Sequence, residues 1–323
     1  MDQSEKTPKV SVCVITYNHE KYIRQCLQSV VDQHVDFDFE VIVGDDHSTD
    51  GTRAILNEIA NRYPEIIKVK FQKKNTGGPQ NYLDIHSAAR GEYVAHLDGD
   101  DYWLPGKLAQ QLSFLDQHPE CVAVYSNALV VDNEGELIGV FNNRIQETFD
   151  INYLLAKGNF LNHSSLFYRS SCNSEILGLE GPFLDYKVHL RIARKGCLGY
   201  LNKVLVVYRQ GSQSSFLLNK LELTRELYWD ALTDVPYNKV SHKALRSAVY
   251  TLSFQLIYSA IRNAQFGKAW YWISRIYKDT SKVAFRSLLM GIIKLIFHPF
   301  AVAIRKVLVP FCKPADLKVL YKR

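Results

Sequence analysis

A chain of 323 residues with 47% hydrophobic and 22% charged side chains can build a sizeable core, which excludes a disordered or fibrous protein. Its 10 prolines and 17 glycines follow no period, so repeat and low-complexity architectures fall away. The net charge of +6 is uneven: residues 1–212 carry 21 basic against 27 acidic side chains, whereas residues 262–323 carry 13 basic side chains against Asp279 and Asp316 alone.

The basic end suggests a partner of its own, an anionic membrane surface or a nucleic acid. Cys13, Cys26, Cys121, Cys172, Cys197 and Cys312 show neither a CxxC pair nor regular spacing. Buried, reduced thiols in a cytoplasmic protein are therefore expected, rather than a disulfide framework or a zinc site. The N-terminus, MDQSEKTPKV, lacks the apolar core of a signal peptide.

In chain order, Lys9–Tyr17 (KVSVCVITY) reads as a buried strand, and Ile23, Leu27, Val30 and Val31 then recur at helical spacing. Phe39–Asp46 (FEVIVGDD) is a second buried strand ending in acids, followed by a helix that Ser48, Thr49 or Asp50 can cap. Ile67–Phe71 is a third strand, NTGGPQ a turn-rich loop, and Glu92–Asp101 (EYVAHLDGDD) a fourth strand that again ends in carboxylates. Strand alternating with helix predicts a parallel sheet, whose ligands bind at the carboxyl ends of its strands. Both acid clusters fall there.

Beyond residue 120 the pattern changes to short strands at Val122–Ser126, Ala128–Val131, Leu137–Phe141, Ser164–Tyr168 and Val204–Tyr208, with a helix at Tyr186–Arg194. From about Ser215 nearly everything reads helical. The predicted division is an α/β domain at residues 1–212 and a helical, basic region at 213–323.

The triplet Asp98-Gly99-Asp100-Asp101 is hard to explain structurally. Three carboxylates in four residues repel one another and resist burial unless a cation or hydrogen-bond donors compensate them. A hard divalent cation, Mn²⁺ or Mg²⁺, suits such oxygens and would neutralise a departing diphosphate. Asp50, by contrast, reads as a helix cap.

Four stretches in order, VSVCVITYNHEKYIRQCLQSVVDQ, FEVIVGDDHSTDGT, NTGG and GEYVAHLDGDDYWLPGKL, resemble the family 2 glycosyltransferases, whose Rossmann-like nucleotide-diphospho-sugar fold is called GT-A. The resemblance spans residues 9–110 and continues more faintly to about 210. It implies that Thr16, Tyr17 and Asn18 line the nucleotide pocket and that Asp46 accepts the imide N–H of a uracil-type base. It further implies that Asp98 binds ribose or sugar and shares the metal with Asp100 and Asp101. Asp185, in FLDYKVHLRIA, aligns with the family's general base; capping the following helix is its plain alternative.

Departures accompany the resemblance. Gln80 stands where the family often has a diphosphate-binding Arg, and Val207–Gly211 offers no His after Tyr208-Arg209. Leu184 and His189 replace an acid and a Trp of the base motif, and His189 reads as a packing residue.

In the basic tail, Lys282, Arg286 and Lys294 share one helical face and Leu288, Ile292, Leu295 and Ile296 the other. The longest uncharged run of that segment, Leu295–Ile304, falls short of the ~18–20 residues of a membrane span. Such a helix can lie on an anionic bilayer, or pack on the core or a second subunit. Few aromatics interleave its charges, which disfavours nucleic acid.

The expected activity is an inverting, metal-assisted transfer of a sugar from a nucleoside diphosphate, UDP by resemblance, to a saccharide or lipid-linked acceptor. Its expected place is the cytoplasm, peripheral at the inner membrane face, and its product a cell-surface glycan. A sugar-phosphate nucleotidyltransferase would need a Gly-rich loop with a basic residue after the first strand, which TYNHEKY is not. A hydrolase with paired carboxylates leaves the two strand ends unexplained, and a non-catalytic binding protein of the same fold is the remaining alternative.

Overall fold

The computed structural model describes residues 7–211, residues 221–279 apart from 237 and 239, and residues 318–321. It divides into two compact units: Met1–Asp150 with Phe160–Leu221 and Leu317–Arg323, and Ile151–Asn159 with Glu222–Asp316.

In the first unit, β1 (Val10–Thr16) has Val10, Val12, Cys13 and Val14 fully buried, as an apolar run covered on both faces requires. β2 (Phe39–Asp45) and β4 (Tyr93–Asp98) flank it in parallel, and β3 (Ile67–Phe71) extends β2 in parallel. The register sets Thr16 beside Asp45 and Ile15 beside Asp98. The two predicted acid clusters therefore share one sheet edge. Helix α1 (Ile23–Val31) buries Ile23, Cys26, Leu27 and Val30 at the expected spacing. Helices α2 (Thr52–Arg62) and α3 (Gly78–His86) make the crossovers on either side of β3.

The sheet then becomes mixed. The two short strands expected at 122–131 are one strand, β6 (Cys121–Val131), which pairs with β7 (Leu137–Asn142) antiparallel. The strand expected from Ser164 begins instead with a 3₁₀ turn at His163–Ser165, and β9 (Phe167–Arg169) follows, antiparallel to both β4 and β6. β10 (Cys197–Arg209) starts before the expected Val204 and runs parallel to β6, also meeting the two-residue strands β5 (Tyr102–Trp103) and β8 (Thr148–Phe149). Helices α4 (Lys107–Gln117) and α6 (Asn173–Leu177) add to the expected set, as does α5 (Ile151–Lys157) of the second unit, and the predicted late helix is α7 (Asp185–Ile192).

The cysteine expectation is corrected in part. Cys121 and Cys197 are register partners on β6 and β10, with Cα atoms 4.5 Å apart, and form a disulfide. They lie 76 residues apart in sequence, so no spacing rule reveals the pair. Cys13, Cys26 and Cys172 are free and buried, and Cys312 lies outside the described residues.

In the second unit, α9 (His242–Arg262) opens on Ser241, whose Oγ accepts from Ala244 N at 3.1 Å. Helix α8 (Leu221–Thr233) buries Trp229, whose ring lies edge-on to Trp272 at 6.4 Å. Trp272 belongs to helical residues 266–279, which turn Ala269, Trp272 and Ile276 inward and leave Phe266, Trp270 and Tyr277 exposed.

No helix among the described residues is long and apolar enough to cross a membrane. The amphipathic segment expected at 282–304, and residue 212 itself, lie outside the described residues. The last described residues are not helical as expected but form β11 (Lys318–Tyr321), parallel to β7.

Candidate active site

The carboxyl ends of β1, β2 and β4 open into a cavity of about 440 Å³, a size that suits a small-molecule ligand. Its wall includes Thr16, Tyr17, Asp46, Asp98, Asp100 and Asp185. Asn18 and Asp101, also singled out in the sequence, are not part of that wall.

Asn18 ties loops together. It sits at φ 56°, a left-handed conformation that Asn tolerates, and its Oδ1 accepts from Thr49 N at 2.8 Å while its own N donates to Ser48 Oγ at 2.9 Å. Asp45, fully buried, pairs with Arg53 Nε at 2.8 Å. Asp46 grips the NTGG loop: Thr76 N and Oγ donate to its Oδ1 at 2.7 and 2.9 Å, and Gly77 N donates to its Oδ2 at 2.8 Å. A carboxylate has about four acceptor sites, so roughly one remains for a ligand N–H.

The 98–101 triplet divides by direction. Gly99 brings the backbone so close to the end of β1 that an added Cβ would meet Ile15 O at 2.8 Å. Asp98 and Asp100 then face the cavity while Asp101, 2% exposed, turns inward. There Asp101 accepts from Ser164 Oγ at 2.5 Å and from Arg209 N at 2.8 Å. Burial, and next the charges of Asp100 and Asp98, push its pKa well up. Burial opposes ionisation of Asp98 too, yet hydrogen bonds from His96 and Ser164 hold its carboxyl below the usual range. The groups are His96 Nε2, 3.2 Å from Oδ1, and Ser164 Oγ, 3.2 Å from Oδ2.

Asp185 is the first residue of α7, and its Oδ1 accepts from Tyr186 N at 2.7 Å. Both readings of this residue thus meet the same geometry: it stands at a helix start and also on the cavity wall. Gln80 points away, its Nε2 donating to Asp84 Oδ1 at 2.9 Å.

The chain is similar to known proteins in sequence and in fold. The pattern described as glycosyl transferase family 2 matches residues 11–177, over half of the chain. The chain belongs to that family. An uncharacterized protein of Mycobacterium tuberculosis is 33% identical over 223 residues, 68% of this chain and 64% of its own length, so the match spans less than two thirds of that relative. An uncharacterized glycosyltransferase of Haemophilus influenzae is 30% identical over 229 residues, 67% of this chain and 70% of the relative. Among solved structures, residues 1–349 of Staphylococcus aureus TarS, crystallised with UDP-GlcNAc, superpose with TM-score 0.67 at 19% identity over 96% of this chain and 95% of that one. The mannosyltransferase PcManGT of Pyrobaculum calidifontis, crystallised with GDP-Man and Mn²⁺, does so with TM-score 0.56 at 19% identity over 93% and 84%. At these identities the superpositions establish the GT-A fold.

Within the family frame, several wall and support residues escaped sequence reasoning. Arg209, 6% exposed, brings a guanidinium to the cavity, 4.3 Å from the Tyr22 ring centroid, with Nε donating to Asp100 O at 3.1 Å. Its only sequence signal was a cation at the end of a late strand. Ser164 touches Asp98 and Asp101 together because the 3₁₀ turn carrying it is held from below. Trp103 Nε1 donates to Ser164 O at 2.9 Å, Gln111 Nε2 donates to Ser165 O at 2.8 Å, and buried Lys107 Nζ donates to Gln111 Oε1 at 2.6 Å.

Behind the carboxylates lies a buried imidazole cluster. His189 Nε2 is 3.1 Å from His163 Nδ1, His86 Nε2 is 3.2 Å from His96 Nδ1, and His163 and His96 approach to 4.3 Å between ring centroids. Burial pushes His86 and His163 well down and His189 down to about 3. The unfolded chain takes protons there near ~6.5 while the native state does not, so this stability is complete above that pH and lost as pH falls. Acidification therefore destabilises the native state through these three imidazoles, an effect that the raised pKa of Asp101 opposes in part. The thermal midpoint is expected to drop between about pH 7.5 and about pH 5; a flat midpoint in differential scanning fluorimetry would contradict this account.

Proposed function

We propose that the chain transfers a sugar, with inversion, from a nucleoside diphosphate, UDP in the first instance, to a hydroxyl of a saccharide or lipid-linked saccharide during synthesis of a cell-surface glycan. One observation carries this reading. Asp98 and Asp100 at the end of β4, the loops after β1 and β2, and Asp185 on α7 all face a single cavity.

Roles follow from chemistry. Thr16 and Tyr17 bound the nucleotide compartment, and Asp46 offers its remaining acceptor site to a base N–H. Asn18 shapes that compartment from behind by tying the β1 and β2 loops. Asp98 and Asp100 form an all-oxygen, solvent-facing pair that fits Mn²⁺ or Mg²⁺, with Asp101 holding the turn in place behind them. When bound, such an ion supplies positive charge to the leaving diphosphate. Arg209 adds a fixed cation on the same wall, in a site where Gln80 contributes none. Asp185 takes the proton of the acceptor hydroxyl as its oxygen attacks the anomeric carbon and the nucleotide leaves on the opposite side. The complexes of TarS with UDP-GlcNAc and of PcManGT with GDP-Man and Mn²⁺ support a nucleotide-sugar donor and a divalent metal.

We place the protein at the cytoplasmic face of an anionic membrane. Exposed Phe266, Trp270 and Tyr277 on one helical stretch are of the kind that settles at a bilayer interface, and a strongly basic sequence follows them.

The test is calorimetric titration of UDP, GDP, dTDP and CDP with Mn²⁺ and then with EDTA. One nucleotide is expected to bind, at least about tenfold more weakly after chelation. Folded protein that binds none under either condition would sink the reading. Binding without turnover on any donor would leave a nucleotide-sugar binding protein.

A further inference from the structure

One residue lining the cavity beside Asp98 and Asp185 carries a buried hydroxyl without a partner among the described residues. Tyr82 projects from α3, is 2% exposed and lines the cavity, and its Oη has no hydrogen-bond partner among the described residues. Buried hydroxyls are ordinarily satisfied, and one left without a partner in a residue that lines a ligand cavity is suited to receive its partner from the ligand.

The ring has little freedom to seek another partner. It stacks on His86 at 3.8 Å with an interplanar angle of 24° and on His163 at 5.4 Å with 28°. Phe183 meets its edge at 6.0 Å, and His96 lies against it at 4.8 Å. Residues from α3, β4, the 3₁₀ turn and the segment before α7 thus clamp one phenol. Burial, with smaller pushes from neighbours that include Asp98 and Asp185, raises its pKa well above the usual value. The group stays a neutral O–H throughout the physiological range. Asp98 and Asp185 belong to the nucleotide-sugar and acceptor sides of the proposed reaction, so the phenol adjoins the path of the group handed between them.

We infer that Tyr82 Oη donates a hydrogen bond to a hydroxyl of the transferred sugar and so determines which sugar is accepted; this rests on the nucleotide-sugar reading above. A polar wall group left unpaired by a ligand that lacks the matching hydroxyl discriminates more strongly than an apolar wall does.

The experiment compares wild type with Tyr82→Phe, titrating UDP, UDP-glucose, UDP-galactose, UDP-N-acetylglucosamine, GDP and GDP-mannose in the presence of Mn²⁺. The variant is expected to bind the bare nucleotide within about twofold of wild type and the preferred nucleotide sugar about tenfold more weakly. Its thermal midpoint should not fall, because the lost hydroxyl has no hydrogen-bond partner among the described residues. Equal weakening of nucleotide and nucleotide sugar, or no weakening of either, overturns the inference and leaves the donor site standing. Monodeoxy forms of the preferred donor give a second measurement, on wild type alone. One of them should lose about the same factor, and that analogue should bind Tyr82→Phe no worse than its parent. If Tyr82→Phe does not fold, the deoxy series decides: no loss with any form overturns the inference. Wild type that binds neither nucleotides nor nucleotide sugars overturns this inference and the donor reading together.

Discussion

Replacing Asp100 with alanine is expected to lower sugar transfer by at least about 10³-fold, equivalent to roughly 4 kcal/mol of transition-state stabilisation, and to abolish the metal-dependent part of nucleotide binding. The size follows from position. Asp100 faces the cavity at the end of β4 with its side chain 15% exposed, whereas its neighbour Asp101 is turned inward and held by Ser164 and Arg209. Asp98 alone would then face the diphosphate, and one carboxylate retains a divalent ion poorly without its partner. Stability should not suffer, since three close carboxylates repel one another and the charge of Asp100 is, after burial, the largest push on Asp101. Steady-state transfer assays with the best donor, alongside thermal melts, check both halves. Near-normal transfer by a folded Asp100→Ala variant would remove this carboxylate from the mechanism.

The second large effect concerns Asp185. The Asp185→Asn variant should lose about 10²–10⁴-fold in kcat, the usual contribution of a positioned base, while donor affinity stays within about threefold. The amide keeps the size and the hydrogen bond that Tyr186 N donates, so α7 should start as before. What it lacks is the ability to take a proton from the acceptor. The limb of the pH–rate profile that reports this base should vanish with it. If kcat is unchanged and the melting point falls instead, Asp185 is a helix-start residue only.

Much of the architecture was written in local patterns. β1 to β4 and the helices between them follow from apolar runs separated by helical spacing, and the sequence showed that acids end β2 and β4. That both acid clusters share one sheet edge follows from a parallel sheet, because parallel register carries strand ends along together. Short or composite elements were harder. The two-residue strands β5 and β8 are too brief to show a period, and β6 was broken in two because its polar Ser126 and Asn127 interrupt an apolar run. The Cys121–Cys197 bond and the Ser164 contacts to Asp98 and Asp101 join residues far apart in sequence, which local pattern does not report.

The candidate site divides along the same line. Sequence by itself determined the chemistry available: carboxylates at strand ends, a close-approaching Gly99, a loop of small residues at 75–78 and a late Asp185, all in the order of the family. It did so because strand ends and turns leave strong local signatures of residue type. Only the tertiary structure decided which groups meet. It turned Asp101 away from the cavity and Asp98 and Asp100 toward it, spent most of the acceptor capacity of Asp46 on the loop at 76–77, and brought Arg209 and Tyr82 to the wall. The direction of a side chain is fixed by what packs around it. Here that packing comes from the 3₁₀ turn at His163–Ser165, the imidazole cluster and the end of β10, elements separated by tens of residues in the chain and joined only by folding.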